Sequence, residues 1–264
     1  MLWEKELAVA REASKEAAGK LNRLFGRVQH ILKKGEIDLV TEADLQAEKA
    51  IIETIRSQFP KDTILSEETG HHQAAPERVW LVDPLDGTTN FAHGLPFYAV
   101  CIGLQVEGRA ALGLVYCPVM DERFEAWDGG GAFLNGDPIR VSRTATLLES
   151  LVATGFPYSV HEEAGSVVRR LHQVLLRVQG IRRAGSAALD LCYVAAGRFD
   201  AYWEQGLKPW DTAAAALIAE EAGGRLSDFE GKPFSPYGPT VVASNGLIHD
   251  KILEAIRLHE ISKQ

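Results

Sequence analysis

The feature that most constrains this sequence is an apolar run that passes directly into acidic and turn-forming residues. Val79 to Val82 has the composition of a short strand, and Asp83, Pro84, Leu85, Asp86 and Gly87 follow without a break. On local chemistry alone this is a turn, because Asp-Gly after a proline is common in turns. Pro84 also fixes its own φ and lacks a backbone donor, so the alternative is two carboxylates held at a set separation around a cation.

The first part of the chain is typical of two helices. Hydrophobic periodicity predicts one from about Trp3 to Phe25 and another from about Glu42 to Gln58. Thr41, with Asp44 three residues later, resembles a capping box at the start of the second helix. The pattern therefore predicts Asp44 in the first helical turn, with its carboxylate near the helix end.

The pattern changes from a strand meander to alternating strands and helices. Two β-rich runs, Tyr98 to Val106 and Ala110 to Tyr116, meet at a Gly-containing turn and predict a largely antiparallel sheet. Beyond about Thr146, strand-like and helix-like runs alternate. The predicted helices of this part are Glu163–Val178, Ala187–Ala196 and Thr212–Ala222. The sequence thus predicts a layered α+β or α/β fold, with an antiparallel half at 1–145 and an α/β half at 146–264 that pack tightly together.

Composition excludes several classes of function. Lys plus Arg number 28 against 36 Asp plus Glu, and the net charge of −8 opposes direct nucleic-acid or anionic-lipid binding. The three cysteines are far apart and lack metal-site spacing, so they are predicted to be buried apolar residues. No charged leader or apolar run of membrane-spanning length is present, which predicts a cytoplasmic location without membrane contact.

Three more segments add polar residues near element ends. Glu67 follows a short apolar run at Thr63 to Leu65, and Thr88 could open a helix whose N–H groups favour phosphate. Asp211 precedes an alanine-rich helix that permits close packing, although an Asp at that point is often only an N-cap.

Taken together, these segments resemble one enzyme family. Glu67-Glu68, the run from Asp83 to Phe91, and Trp210-Asp211 followed by Ala222-Gly223-Gly224 are similar in order and spacing to the inositol monophosphatase family. The resemblance implies a five-layer αβαβα sandwich of the inositol monophosphatase and fructose-1,6-bisphosphatase type. It also implies a lithium-sensitive, Mg²⁺-dependent phosphatase that is commonly a homodimer.

The resemblance implies metal ligands residue by residue. Glu67, Asp83 and the carbonyl of Leu85 would hold one Mg²⁺, and Asp83, Asp86 and Asp211 a second, with two or three ions in total. Physical chemistry supports a cation, because two carboxylates about 4 Å apart repel by roughly 4 kcal/mol at an effective dielectric constant of 20. Oxygen ligands without histidine or cysteine favour a hard ion.

The resemblance also implies catalytic roles. Thr88 and Asp44 match the pair that activates the attacking water, and Glu67 counts as catalytic through the metal. The N–H groups of Gly87 and Thr88 would hold phosphate oxygens.

Substrate contacts are implied in the second half of the chain. Gly185, Ala187 and Glu204 match the positions that contact the inositol ring, and Asp211 is a further predicted substrate-binding residue. Glu204 could instead be a solvated charge at a strand end. Lys33 matches a lysine on a mobile loop near the metals, and a solvated turn is the alternative.

The predicted reaction is hydrolysis of a small polyol or sugar phosphate, with inositol monophosphate favoured by Glu204. Fructose bisphosphate, NADP and adenosine bisphosphate are the alternatives within the superfamily. A different class of function is a protein-binding role in transcription, because some bacterial members of the family associate with that machinery.

Overall fold

The computed structural model describes residues 3–27, 31–33, 39–72 and 75–258. The helices in these ranges are α1 (Glu4–Leu24), α2 (Glu42–Gln58), α3 (Thr88–Ala92), α4 (Val160–Leu175), α5 (Ala187–Ala195), α6 (Pro209–Glu221) and α7 (His249–Ile256). The strands of the first half are β1 (Ile31–Lys33), β2 (Leu39–Thr41), β3 (Asp62–Ser66), β4 (Gly70–His72), β5 (Ala75–Asp86), β6 (Ala99–Val106), β7 (Arg109–Cys117), β8 (Glu122–Trp127), β9 (Gly131–Leu134) and β10 (Asp137–Pro138). Those of the second half are β11 (Leu151–Thr154), β12 (Gly180–Arg182), β13 (Ala201–Gln205), β14 (Arg225–Ser227) and β15 (Thr240–Ser244).

Two sheets carry most of these strands. The larger has the order β10-β9-β8-β7-β6-β5-β3-β4 and is antiparallel except for the β3–β5 pair. The smaller has the order β12-β11-β13-β15-β14, with β11 parallel to both neighbours and the other pairs antiparallel. The predicted meander is present as β6 and β7, whose turn contains Glu107 and Gly108 with positive φ.

Alternating side chains define five layers. In β6, Ile102 packs with α1 and α2, whereas the adjacent Cys101 packs with α5 and α6. In β13, Tyr202 faces the α5–α6 layer, and Trp203 faces α4 and α7. Successive residues of a strand point to opposite faces, so each sheet lies between two helical layers. The order helix, sheet, helix, sheet, helix agrees with the predicted αβαβα sandwich.

The middle helical layer contacts the larger sheet very closely. A Cβ atom at Gly113 of β7 would lie 2.3 Å from the backbone oxygen of Ala214, so no other residue fits at position 113 without movement. The small side chains of the Ala213 to Ala216 run allow α6 to approach the strand backbone. The start of α6 is thereby fixed against the sheet that carries β5.

The division of the chain into two halves at residue 145 remains a prediction. Each large sheet takes its strands from one side of that point, but α5 and α6 belong to the second half and pack against both sheets. Among the described residues, no helix is long and apolar enough to cross a membrane.

Several boundaries differ from the predictions. Strand β5 continues past Val82 to Asp86, because pairing with β6 extends it and a register shift accommodates Pro84. Helix α6 begins at Pro209 rather than Thr212, since proline is favourable in a first turn. Helix α4 lies about one turn earlier than predicted. The elements that were not predicted are helix α7 and strands β1, β2, β4, β8 to β10, β12, β14 and β15.

A buried histidine joins the last elements of the fold. The ring of His249, which is fully buried at the start of α7, lies 2.9 Å from the hydroxyls of Ser227 in β14 and Ser244 in β15. Burial, assisted by the charge of Arg225 and opposed by that of Asp250, lowers the pKa of His249 to about 4.

This environment predicts an acid-sensitive fold. A histidine whose pKa is lower in the folded state binds a proton more readily when the protein is unfolded. The free energy of unfolding is therefore unaffected above about pH 6.5 and falls as the pH decreases toward 4. We expect His249→Gln to lose less free energy of unfolding than wild type between pH 7 and pH 4, by roughly 2–3 kcal/mol. Urea titrations at several pH values measure this difference. His172→Gln, an exposed change in α4, should keep the wild-type dependence.

Candidate active site and metal centre

Two acids lie at the end of β5, where its ladder with β6 is irregular. The pairing shifts in register between Asp83 and Asp86, around Pro84. The N–H of Leu85 donates to Asp83 Oδ1 at 2.9 Å, which closes the irregular segment. The separation of the two acids is therefore set by strand pairing and a local hydrogen bond.

Glu67 and Asp211 reach the same cleft from other elements. Glu67 follows β3, and its N–H donates to the carbonyl of Val82 at 3.2 Å. Asp211 lies in the first turn of α6, where its Oδ2 accepts from the N–H of Lys208 at 2.7 Å. The alternative that Asp211 is an N-cap is wrong, because the helix begins before it and Lys208 holds the cap position.

Three of these carboxylates suit a shared cation. One oxygen each of Glu67, Asp83 and Asp211 lies within 4.8 Å of the other two. Oxygen ligands that bind one hard cation at about 2.0–2.6 Å are separated by distances of this order. The set contains neither histidine nor cysteine, so its chemistry fits Mg²⁺ or a similar ion.

Asp86, the fourth acid, is hydrogen bonded to the start of α5. Its Oδ2 accepts from Ser186 Oγ at 2.6 Å and from the N–H of Ala188 at 2.7 Å. Its Oδ1 accepts from the N–H of Ala187 at 3.3 Å. A carboxylate is favourable at a helix N-terminus, and this one also connects β5 of the larger sheet to the second half of the chain.

Burial and neighbouring charges raise the pKa values of three of the four acids. Burial, and then the charges of Glu67, Asp86 and Asp211, raises the pKa of Asp83 well above its ordinary value. Burial also raises the pKa of Asp211, against the hydrogen bond from Lys208. Burial raises the pKa of Asp86 to about 6, although its three hydrogen bonds oppose this. A cation in the cleft would therefore favour the ionised form of each of these three acids.

Asp44 and Thr88 are joined at the edge of this cluster. Thr88 Oγ1 lies 3.0 Å from Asp44 Oδ1 and 3.0 Å from the carbonyl of Leu85. The predicted capping box is present, since Asp44 Oδ2 accepts from the N–H and hydroxyl of Thr41. Burial raises the pKa of Asp44 despite these bonds. Helix α2 thus holds its first-turn carboxylate against the first residue of α3.

The predicted substrate contacts lie in the same cleft. Gly87, Gly185, Ala187 and Glu204 line it together with the metal-site acids. Lys33 ends β1, but its side chain lies outside the described residues, so its predicted loop role stays a prediction.

Glu204 is buried rather than a solvated charge. It accepts a hydrogen bond from the hydroxyl of Tyr202. Burial raises its pKa to about 7, while Tyr202 and the charge of Arg183 act in the opposite direction. A Cβ atom at Gly155 would lie 1.8 Å from Glu204 Oε2, so a larger residue at position 155 would displace this carboxylate.

Sequence reasoning missed two buried polar residues beside the cleft. Asp190 in α5 is 1% exposed, and its Oδ1 has no hydrogen-bond partner among the described residues. Burial and then the charge of Glu204 raise its pKa well above the ordinary value. Asn90 donates to the carbonyls of Phe97 at 2.7 Å and Ala184 at 2.9 Å, which connects α3 to the loop before α5. Their residue types gave no signal, because burial arises only when distant segments pack.

Comparison with known families accounts for this arrangement. The model of the inositol monophosphatase family matches residues 2–260. The chain belongs to the inositol monophosphatase family. As a member, it is a metal-dependent phosphatase that hydrolyses phosphate monoesters.

Individual relatives cover nearly the whole chain. Inositol-1-monophosphatase of Synechocystis is 44% identical over 95% of this chain and 88% of its own length. The structure of the suhB extragenic suppressor protein of Bartonella henselae superposes with a TM-score of 0.93 at 40% identity, covering 96% of this chain and 99% of that one. The Nus factor SuhB of Salmonella typhimurium is 43% identical over 85% of both chains.

Charge repulsion in the cluster predicts a stability effect of Asp83→Asn. Without metal, this change replaces a buried carboxyl group whose charged form is disfavoured by its neighbours, so the melting temperature should stay equal or rise. With Mg²⁺ at about one hundred times its Kd, wild type should gain roughly 5–10 °C, and the variant should lose this gain. Calorimetry with chelator and with Mg²⁺ measures both effects.

The matched control for that experiment is Asp137→Asn, which removes an exposed carboxylate from β10. It should show the full metal-induced gain. A full gain in Asp83→Asn as well would remove Asp83 from the proposed ligand set.

Proposed function

We propose that this protein hydrolyses inositol monophosphate to inositol and phosphate in a Mg²⁺-dependent reaction. The observation that carries the proposal is the convergence of Glu67, Asp83 and Asp211 in a cleft that Glu204 enters from β13. The acids suit a hard cation and a phosphate, and a buried carboxyl group suits the hydroxyls of a polyol.

We assign the ligands as two overlapping sets. Glu67, Asp83 and the Leu85 carbonyl would hold one Mg²⁺, and Asp83, Asp86 and Asp211 a second. The donor chemistry supports this assignment, because all contributing atoms are oxygens and the carboxylates repel without a cation. A third ion is compatible with the family resemblance, but we assign no residues to it.

The reaction replaces the ester oxygen on phosphorus with a water oxygen. When bound, Mg²⁺ would act as a Lewis acid, lower the pKa of coordinated water and stabilise charge on the leaving oxygen. Thr88 would orient the attacking water: its hydroxyl donates to Asp44 and can accept a hydrogen bond from the water. The N–H groups of Gly87 and Thr88 would hold phosphate oxygens at the start of α3.

The polyol would be recognised from the second half of the chain. Glu204 would accept hydrogen bonds from ring hydroxyls, with Gly185, Ala187 and Asp211 providing further contacts. Recognition would therefore come mainly from β13 and the start of α5, whereas phosphate and metal binding would come mainly from β5 and α3.

The test is a substrate panel read out as released phosphate. We expect inositol 1-phosphate to give a higher kcat/KM than fructose 1,6-bisphosphate, NADP or adenosine 3′,5′-bisphosphate. EDTA should abolish turnover, and excess Mg²⁺ should restore it. Activity that survives exhaustive chelation would contradict the metal mechanism. A higher kcat/KM for NADP or adenosine 3′,5′-bisphosphate than for inositol 1-phosphate would instead support a nucleotide phosphatase.

Glu204→Gln tests the recognition half of the proposal. Charge-assisted hydrogen bonds contribute about 1.5–3 kcal/mol, so kcat/KM for inositol 1-phosphate should fall roughly tenfold or more. The value for p-nitrophenyl phosphate should change much less, because that ester has no ring hydroxyls. Steady-state kinetics on both esters, with the Mg²⁺ requirement measured in parallel, gives the comparison.

The matched control is Glu254→Gln, which makes the same chemical change at an exposed position of α7, outside the residues that line the cleft. It should leave the ratio of the two kcat/KM values near wild type. Equal losses on both esters in Glu204→Gln would instead assign Glu204 to support of the cleft.

A role in transcription is a second candidate, favoured by the relative named Nus factor SuhB. A pull-down with the tagged chain, compared with a phosphatase-inactive variant, would separate binding from catalysis.

We further propose a homodimer, lithium inhibition through the second metal set, and no direct nucleic-acid or membrane contact. We propose a cytoplasmic location, which the three free, buried cysteines suit.

A further inference from the structure

Helix α2 places two buried carboxylates one turn apart. Asp44 lies in the first turn and contacts Thr88, as described above. Glu48 follows four residues later and is 2% exposed. Residues at this spacing lie on the same face of a helix, so both carboxylates point toward the acidic cleft side of α2.

One carboxylate oxygen of Glu48 is held by the end of β3 and the turn that follows it. Its Oε1 accepts hydrogen bonds from Ser66 Oγ and from the N–H groups of Glu68 and Thr69, the latter two at 3.1 Å. These donors come from the residues on either side of Glu67. Buried carboxylates are costly unless such donors satisfy them, so the arrangement depends on the turn keeping this shape.

A second anchor holds the turn from the opposite side. The N–H of Glu67 donates to the carbonyl of Val82, the residue before Asp83. The Glu67 backbone is therefore fixed between α2 and β5. Helix α2 is itself rigidly packed through Ala47, Ile51 and Ile55. None of the hydrogen bonds that Glu48 accepts comes from Glu67, Asp83 or Asp211. Glu48 therefore acts on the Glu67 carboxylate only through the shape of the turn, which directs that carboxylate toward the other two acids.

We infer that Glu48 is a positioning residue of the metal site, which fixes the turn at 66–69 so that Glu67 is preorganised for the cation. The inference rests on the proposed function, because it assigns Glu67 as a ligand. Residues that orient metal ligands typically change metal affinity by about 10–100-fold when they are replaced. A residue needed only for folding would change stability and leave the affinity of the folded protein unaltered.

The experiment measures Mg²⁺ binding by titration calorimetry, with no substrate present, on full-length variants shown to be folded by circular dichroism. Glu48→Ala should raise the Kd for Mg²⁺ by about tenfold or more. Glu48→Gln keeps an acceptor oxygen and should stay within about threefold of wild type. At saturating Mg²⁺, kcat of Glu48→Ala should return to within a few-fold of wild type, since the bound cation reorders Glu67.

Two further variants control for helix and turn effects. Glu53→Ala removes an exposed acid from the same helix and should bind Mg²⁺ as wild type does. Ser66→Ala removes one donor and should weaken binding by a smaller factor than Glu48→Ala. If Glu48→Ala does not fold, Glu48→Asp replaces it, because its shorter side chain cannot reach the same donors and should show the same weakening.

Amide hydrogen exchange provides a readout that does not need metal. The N–H groups of Glu68 and Thr69 should lose protection in Glu48→Ala and retain it in Glu48→Gln. Wild-type Mg²⁺ affinity or unchanged protection in folded Glu48→Ala or Glu48→Asp would overturn the inference. Failure of the wild-type protein to bind Mg²⁺ would instead contradict the proposed function. The exchange measurement would still test whether Glu48 fixes the turn at 66–69.

Discussion

Carboxylates held within 4.8 Å of one another repel, and the surrounding fold must keep them together. Each such pair opposes the folded state by a few kcal/mol at about 4 Å and an effective dielectric constant near 20. The three acids reach the cleft from the ends of β3, β5 and α6, which pack together through Leu65, Leu81 and Ala213. No single helix or strand holds the three acids together, so packing throughout the sandwich offsets the free-energy cost of their repulsion. A bound cation would replace this repulsion with attraction.

The beginnings of several helices supply part of the electrostatic compensation. The first turn of α2 holds Asp44, the start of α5 donates to Asp86, and Lys208 donates to Asp211 at the start of α6. Helix N-termini carry partial positive charge, and α3 begins in the same cleft at Thr88. The layered fold therefore surrounds the acids with positive helix ends. The same field that tolerates carboxylates also favours a phosphate dianion in the cleft.

Local signals in the sequence predicted the elements whose causes are local. The capping box at Thr41 and the periodicity of α2 depend on neighbours in the chain, and both are present in the structure. The extension of β5 to Asp86 was not predictable, because it depends on pairing with β6. Glu48 and Ser66 are 18 residues apart and meet only through tertiary packing. Family resemblance identified the acids as candidate ligands, whereas their burial and pKa shifts depend on tertiary packing.

Asp86 connects the end of β5 to α5, one short helix of the second half. Its Oδ2 accepts two hydrogen bonds from the start of α5 and its Oδ1 accepts one, so Oδ1 retains a lone pair for a cation. A cation bound there must therefore approach from the side away from α5. The same helix start contributes Ala187 to the cleft, and Glu204 lies beside it on β13. In the proposed assignment, the position of α5 would set both where the second metal sits and where the polyol rests. A small displacement of α5 would then disturb both together and would couple substrate choice to metal geometry.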